Sequence, residues 1–210
     1  MENLIAFREP QHFRLGWRIM GNLLPFPAAI LIIGVTLGGL VLLQVFNAPR
    51  LFFLPIALGF VLYGLYEFLK PFFQGNAFLP RYFPNRGPGW LCQVTFTPRR
   101  YLGIEGVLED ADDFGVFVVQ GDWLVFSGDS SYLSVHRGAI YTMELKNAGW
   151  RTMWLMGNSA RVILKAPITN VLAFTIMPRE GITLLQCHRT SRDFTDALKV
   201  FAGQSSLSPG

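Results

Sequence analysis

The sequence predicts a membrane α-hairpin in the first third of the chain, followed by an all-β soluble domain that ends in a helix. About half of the 210 residues are hydrophobic and only 15% are charged, whereas ordinary soluble domains contain about 25% charged residues. Two long apolar runs lie before residue 70, and strand-like alternation begins at Trp90. These observations predict an anchored protein rather than a free globular one.

Two apolar runs, the second of which contains one carboxylate, Glu67, predict a two-helix transmembrane hairpin over residues 23–70. The first extends from Pro25 to Phe46 and the second from Leu51 to Leu69, and about 20 apolar residues suffice to cross a bilayer. The short turn between them carries only Arg50, whereas the flanking segments carry Arg8, Arg14, Arg18, Lys70, Arg81 and Arg86. The positive-inside rule therefore predicts a multi-pass protein of the cell (inner or plasma) membrane, with both termini and the β-domain in the cytoplasm.

Small residues in the first run predict close helix packing. Gly34 and Gly38 form a GxxxG pair with Gly39 beside it, and such residues let a neighbouring helix approach closely. The partner is either the second helix of the same hairpin, which we favour, or a helix of another chain.

Aromatic and basic residues around the hairpin predict contact with a membrane interface. Residues 1–22 form an interfacial segment and residues 71–89 form a linker rich in proline and aromatic residues. The predicted interface residues are Phe13, Arg14, Trp17, Arg18, Tyr63, Tyr66, Arg81 and Arg86.

Residues 90–203 predict a β-domain closed by one amphipathic helix, and residues 204–210 a flexible tail. Alternation predicts strands near 90–97, 115–128, 131–136, 139–146, 150–156, 160–166, 171–177 and 182–188, with a turn at Gly121 and Asp122. Phe194, Leu198 and Phe201 recur at helical spacing, and Thr190 or Ser191 is the predicted cap.

Charge is distributed unevenly along the chain. The formal charge of +4 comes from residues 1–89, because residues 90–210 contain equal numbers of acidic and basic side chains. No global positive field therefore marks the β-domain for nucleic acid. Within that domain an acidic third precedes a basic third, and the basic third supplies the predicted partner contacts Arg137, Lys146, Arg151 and Arg161.

No motif predicts catalysis, a cofactor or a metal. Cys92 and Cys187 have no CxxC spacing, and the three histidines lie far apart in sequence. A calcium site among the acidic residues near Asp112, Asp113 and Asp129 is conceivable, but we favour a solvated acidic face, since the spacing does not match an EF-hand.

Residues 115–145, GVFVVQGDWLVFSGDSSYLSVHRGAIYTMEL, resemble the opening strands of bacterial membrane-attached pleckstrin-homology-like and GRAM-like proteins. The resemblance implies a bent antiparallel β-sandwich or barrel plugged by the C-terminal helix. It departs from phosphoinositide-binding members at Gln120, Gly121 and Asp122, which supply no cation for a phosphorylated headgroup.

These predictions favour a non-enzymatic, membrane-anchored accessory or scaffold subunit. Its β-domain would contact other membrane-protein subunits or a second copy of itself. One alternative is a peripheral module that recognises anionic lipid headgroups through Arg14, Arg18, Arg81, Arg86 and the basic third of the β-domain. Another is a regulator of a membrane transporter.

Overall fold

The fold comes from a computed structural model. It describes residues 1–12, 25–46, 51, 53–73, 76, 79–84, 86–100, 111–147, 158–203 and 207–209. The predicted interfacial residues between 13 and 24, the acidic segment 101–110 and the predicted strand at 150–156 therefore lie outside the described residues.

The described part of the β-domain is a curled, mostly antiparallel sheet of nine strands in the order β1-β5-β4-β3-β2-β8-β7-β6-β9. Seven consecutive strands, β2 to β8, form its body, and β1 and β9 add one short strand at each edge. The bounds are β1 Leu4–Phe7, β2 Trp90–Thr97, β3 Asp113–Gln120, β4 Trp123–Gly128, β5 Ser131–His136, β6 Ile140–Asn147, β7 Asn158–Ile168, β8 Val171–Pro178 and β9 Leu207–Pro209.

Two-residue turns set the register of the central hairpins. Gly121, with φ of 56°, and Asp122 join β3 to β4, so that Gln120 lies opposite Trp123. Thr169 and Asn170 join β7 to β8, and both have positive φ, at 49° and 65°. Paired left-handed residues match the right-handed twist of antiparallel strands.

The C-terminal helix α4, Leu184–Ala202, closes the core. Phe194 and Leu198 are fully buried, and the Phe194 ring makes edge contacts with Trp90 at 5.7 Å and Phe117 at 5.6 Å. Burying such aromatic side chains is a large stabilising term in a domain of this size. The helix ends at Gly203, whose φ of 73° is the left-handed conformation that glycine adopts easily.

The start of α4 differs from the prediction. Its cap is Thr183, whose Oγ1 accepts a hydrogen bond from Gln186 N at 3.4 Å, so residues 184–188 are helix and not strand. Thr190 and Ser191 lie inside the helix, where Ser191 is buried. The apolar residues of 182–188 mimic strand alternation, but a capped helix satisfies the same backbone groups locally.

Among the residues that the structure describes, three helices precede β2: α1 Pro25–Val45, α2 Phe53–Phe73 and the single turn α3 Leu79–Tyr82. Helices α1 and α2 pack against each other, and α2 also contacts α4. Their closest approach uses small residues, because a Cβ on Gly39 would lie 2.9 Å from Pro55 Cβ. On the second helix, a Cβ on Gly59 would collide with Thr36 Oγ1.

The predicted transmembrane hairpin is corrected by the structure. Across the described part of the chain, no helix has both the length and the apolar character that crossing a membrane requires. Such a crossing takes about 20 consecutive apolar residues. The membrane-anchored fold class, the transmembrane description and the multi-pass inner-membrane localisation are therefore wrong on this finding.

The segment predicted as a linker packs against the sheet. Leu79 in α3 is only 5% exposed and contacts Leu91 on β2, with Tyr82 and Phe83 beside them. This small cluster covers the outer surface of β2 and β3. Leu207–Pro209, inside the predicted flexible tail, pairs in parallel with β6 as β9.

Candidate functional site

The N-terminal segment lies along the edge of the sheet and forms the first of three candidate sites. Strand β1 pairs antiparallel with β5, placing Leu4 opposite Ser134 and Phe7 opposite Ser131. Ile5 enters the main core and is 1% exposed. The Phe7 ring meets the edge of Phe96 at 5.2 Å.

Asp129, in the turn between β4 and β5, anchors the end of this segment. Its carboxylate accepts the His12 backbone N–H at 2.9 and 3.0 Å and lies 2.8 Å from His12 Nδ1. The Asp129 side chain is 0% exposed. The Arg8 guanidinium donates to Gly128 O at 2.7 Å and to Asp129 O at 3.2 Å, and Arg8 N donates to Ser130 O at 2.8 Å.

A second carboxylate, that of Asp113 in β3, also binds the turn between β4 and β5. Asp113 Oδ2 accepts hydrogen bonds from Ser130 N at 2.9 Å and Ser131 Oγ at 2.7 Å. Arg100 NH1 donates to Ser130 Oγ at 2.8 Å, and Arg100 NH2 donates to Arg8 O at 2.9 Å. The turn is therefore positioned by β3 and Arg100 as well as by the N-terminal segment.

The burial of these carboxylates corrects the expected solvated acidic face. Asp112, Asp113 and Asp129 are at most 2% exposed, and Asp112 Oδ2 accepts the Phe96 N–H at 2.6 Å. They serve as hydrogen-bond acceptors for backbone and side-chain donors, which satisfies their charge inside the fold. In the described parts of the chain, no group of three or more His, Cys, Asp or Glu residues could hold a metal ion.

Arg179 forms the second site, at the junction between the helices and the β-domain. It is 8% exposed, and it donates from Nε to Asn76 Oδ1 at 2.9 Å and from NH1 to Gln93 Oε1 at 2.8 Å. Asn76 Nδ2 in turn donates to Gly181 O at 3.0 Å. These contacts attach the segment that follows α2 to β2 and to the loop before α4.

Both cysteines are free and buried. Burial raises the pKa of the Cys92 thiol well above its ordinary value, and the Glu180 carboxylate raises it further. Burial also raises the pKa of Cys187, while Arg179 and a hydrogen bond from Asn76 act in the opposite direction. Each thiol is therefore held in its protonated, weakly nucleophilic form.

The third site is the outer surface of the α1–α2 pair. Ile30, Leu31 and Phe60 are 71%, 64% and 73% exposed. A groove of about 560 Å³ follows α1 beside Gly34 and Gly38 and reaches Pro55 and Leu58 on α2. A Cβ added at either of those two glycines would meet no described atom within 4 Å, so only Gly39 of the predicted trio packs against α2.

The predicted interface residues do not form one site in the described chain. Phe13, Arg14, Trp17 and Arg18 lie outside the described residues. Tyr63 and Tyr66 lie on α2 and Arg81 on α3. Arg86 forms an ion pair with Glu180, with 2.7 Å between its NH1 and the carboxylate.

The predicted partner-contact residues are similarly dispersed. Arg137 lies 3.8 Å from an Asp122 carboxylate oxygen, and Arg161 lies opposite Glu144 across β6 and β7. Lys146 lies in β6, and Arg151 is outside the described residues. Because Arg137 and Arg161 each have an acidic neighbour, they do not add up to one strongly basic surface.

Comparison with protein-family models, with curated proteins and with solved structures found no match.

Proposed function

We propose that this chain is a non-enzymatic accessory or scaffold protein that binds another protein chain through the exposed apolar surface of α1 and α2. The observation that carries the proposal is the exposure of large aliphatic and aromatic side chains along both helices, including Ile30, Leu31 and Phe60. Extended apolar patches on a folded protein mark interaction sites, because burying them on a partner is favourable.

The groove beside Gly34 and Gly38 supplies shape for such a contact. Its walls are almost entirely apolar, and its floor lacks side chains at the two glycines. The Thr36 hydroxyl, on the same helix, already donates to Ile32 O at 2.8 Å. A helix of a partner chain can therefore approach α1 closely without burying an unpaired polar group.

The junction at Arg179 supports the same proposal. Its hydrogen bonds to Asn76 and Gln93 join the helical pair to the sheet, so the apolar surface is presented from a fixed base. A preorganised surface loses less conformational freedom when it binds.

The β-domain fits the scaffold role as well. Seven antiparallel strands, β2 to β8, followed by α4, are the order of elements expected from the pleckstrin-homology resemblance. We therefore propose a pleckstrin-homology-like domain that acts as the base of the binding surface. Recognition of anionic lipid is the weaker candidate function, since Arg86, one of the arginines predicted to bind the headgroups, is already paired with Glu180.

A pair of glycine substitutions tests the proposal. Gly38 and Gly64 both lie in helices and both have open space at the Cβ position, but only Gly38 lines the groove. Replacing either by leucine should raise local helix propensity by about 1 kcal/mol. Gly38→Leu should nevertheless fill the groove.

The readout is the dissociation constant of the assembly formed by the purified full-length chain, alone or with a purified partner. We expect Gly38→Leu to weaken the assembly at least about tenfold, and Gly64→Leu to leave it unchanged. A wild-type chain that stays monomeric and monodisperse in water at every concentration, and binds no partner, would refute the proposal. Equal effects of the two substitutions would also refute it.

A further inference from the structure

We propose that the edge of β5 and the turn at Asp129 form a binding site for an extended peptide, and that the N-terminal segment of a second copy of this chain can occupy it. In the structure the chain's own residues 3–12 fill the site. The ligand class is a strand-forming peptide with a buried aliphatic residue, an arginine three positions later, and a histidine seven positions later. This inference is independent of the helical surface.

Backbone pairing provides the first part of the recognition. The four residues of β1 pair antiparallel with β5 from Leu4 to Phe7, and the Asn3 side chain accepts the His136 N–H at 2.7 Å. Adding a strand to an open sheet edge is a common mode of peptide recognition, in which the backbone provides affinity and pockets for alternate side chains provide specificity. The core pocket that holds Ile5 at 1% exposure is such a pocket.

The Asp129 turn provides the second part. Gly128 O, Asp129 O and the Asp129 carboxylate accept hydrogen bonds from Arg8 and His12 of the peptide. A buried carboxylate needs such donors, because an uncompensated charge in the interior is costly. The turn therefore selects for a particular sequence and not for any strand.

The turn retains its shape for reasons that do not involve the peptide. Asp113 holds Ser130 and Ser131, Asp129 N donates to Phe114 O at 2.9 Å, and Arg100 donates to Ser130. Asp113 and Phe114 belong to β3, and Arg100 follows β2, so none of these partners is part of the peptide. The acceptors therefore stay in place when the peptide leaves, as expected of a binding site rather than a simple chain terminus.

The occupying strand is suited to exchange. It lies at the edge of the sheet, is four residues long, and pairs only with β5 among the described strands. Short edge strands open at a lower free energy than the core. A second copy is the occupant because its N-terminus carries the residues that the site matches, so that exchange keeps every contact.

Peptide binding to the full-length chain tests the proposal. The probe is a fluorescently labelled peptide of residues 1–12, and the matched peptides carry Ile5→Asp or Arg8→Ala. The receptor is the full chain with Ile5→Asp, which weakens its own strand and leaves the site accessible. We expect saturable binding by fluorescence anisotropy, about tenfold tighter than to the wild-type chain, and at least about tenfold weaker for each altered peptide. No binding, or equal binding of all three peptides, would overturn the proposal.

A cross-link decides the matter even if Ile5→Asp unfolds the chain. Ala6 and Tyr132 lie directly opposite each other in β1 and β5, so the full chain with Ala6→Cys and Tyr132→Cys can form a disulfide between them. Ala6→Cys alone is the control for random coupling. Covalent dimers that increase with protein concentration during incubation, beyond that control, support exchange. Purely intramolecular cross-links at every concentration overturn it.

Discussion

The junction at Arg179 offers the sharpest test of how the helices are held to the β-domain. Replacing Arg179 by methionine keeps much of the side-chain volume but removes the donors to Asn76 Oδ1 and Gln93 Oε1. Hydrogen bonds from charged groups contribute about 1.5 kcal/mol or more each. The guanidinium also lies 5.8 Å from the Phe114 ring centre, a contact worth about 0.5 kcal/mol.

The expected loss in free energy of unfolding is therefore about 3 to 4 kcal/mol. Asn76→Ala should cost about 2 kcal/mol, because it also removes the donor to Gly181 O. The two residues share one hydrogen bond, so the double variant should lose about 1 kcal/mol less than the two single losses combined.

Urea denaturation of the wild-type chain, both single variants and the double variant measures the coupling between Arg179 and Asn76 as a double-mutant cycle. Arg192→Met is the matched control, since Arg192 lies on the exposed side of α4 with only a 4.0 Å contact to Asp196, and we expect a change within about 0.5 kcal/mol. An Arg179→Met variant as stable as that control, or strict additivity with Asn76→Ala, would refute the reasoning.

Three further substitutions test the sheet. Thr169 is a β-branched residue at φ of 49°, so Thr169→Asn should stabilise by about 0.5 to 1 kcal/mol in thermal unfolding, and a lower melting temperature would contradict this. Gly128→Ala should cost about 2 kcal/mol or more by urea denaturation, because its Cβ would collide with Asp113 Oδ2; a neutral result would show that the turn can relax. The Cys92 thiol has a raised pKa in the folded chain, so its contribution to stability is complete below the unfolded pKa of about 8.5 and is lost as pH rises through the folded value. Cys92→Ala should therefore flatten the alkaline loss of stability by up to about 1.4 kcal/mol per pH unit, and parallel curves would exclude that cause.

The regular strands were the most predictable part of the chain. Alternation placed a strand at 131–136, which is β5, and a turn at Gly121 and Asp122, which joins β3 to β4. Helical spacing identified Phe194, Leu198 and Phe201 as the buried face of α4. In these segments the residues that recur at strand or helix spacing are the ones that are buried. The sequence alone is therefore sufficient to predict the element and its buried face.

The helical pair shows where local pattern is insufficient. Helices occur over Pro25–Val45 and Phe53–Phe73, close to the two apolar runs, and Gly39 packs against Pro55. The same two runs also predicted that both helices lie in a lipid bilayer. The finding that no described helix can cross a membrane contradicts that prediction. Composition predicts that an apolar surface needs a partner, but it does not identify the partner.

The N-terminal site was missed because its signals are distributed over distant parts of the chain. Leu4–Phe7 is short and has no strong alternation, so nothing local distinguishes it from an unstructured terminus. Asp113 and Asp129 were assigned to a solvated surface because carboxylates usually lie there. Other segments supply donors to each of them: Ser130 and Ser131 to Asp113, and His12 to Asp129. The burial of an acidic side chain is therefore set by the partners that tertiary structure brings to it, which is why the network that shapes this site could be found only in the folded chain.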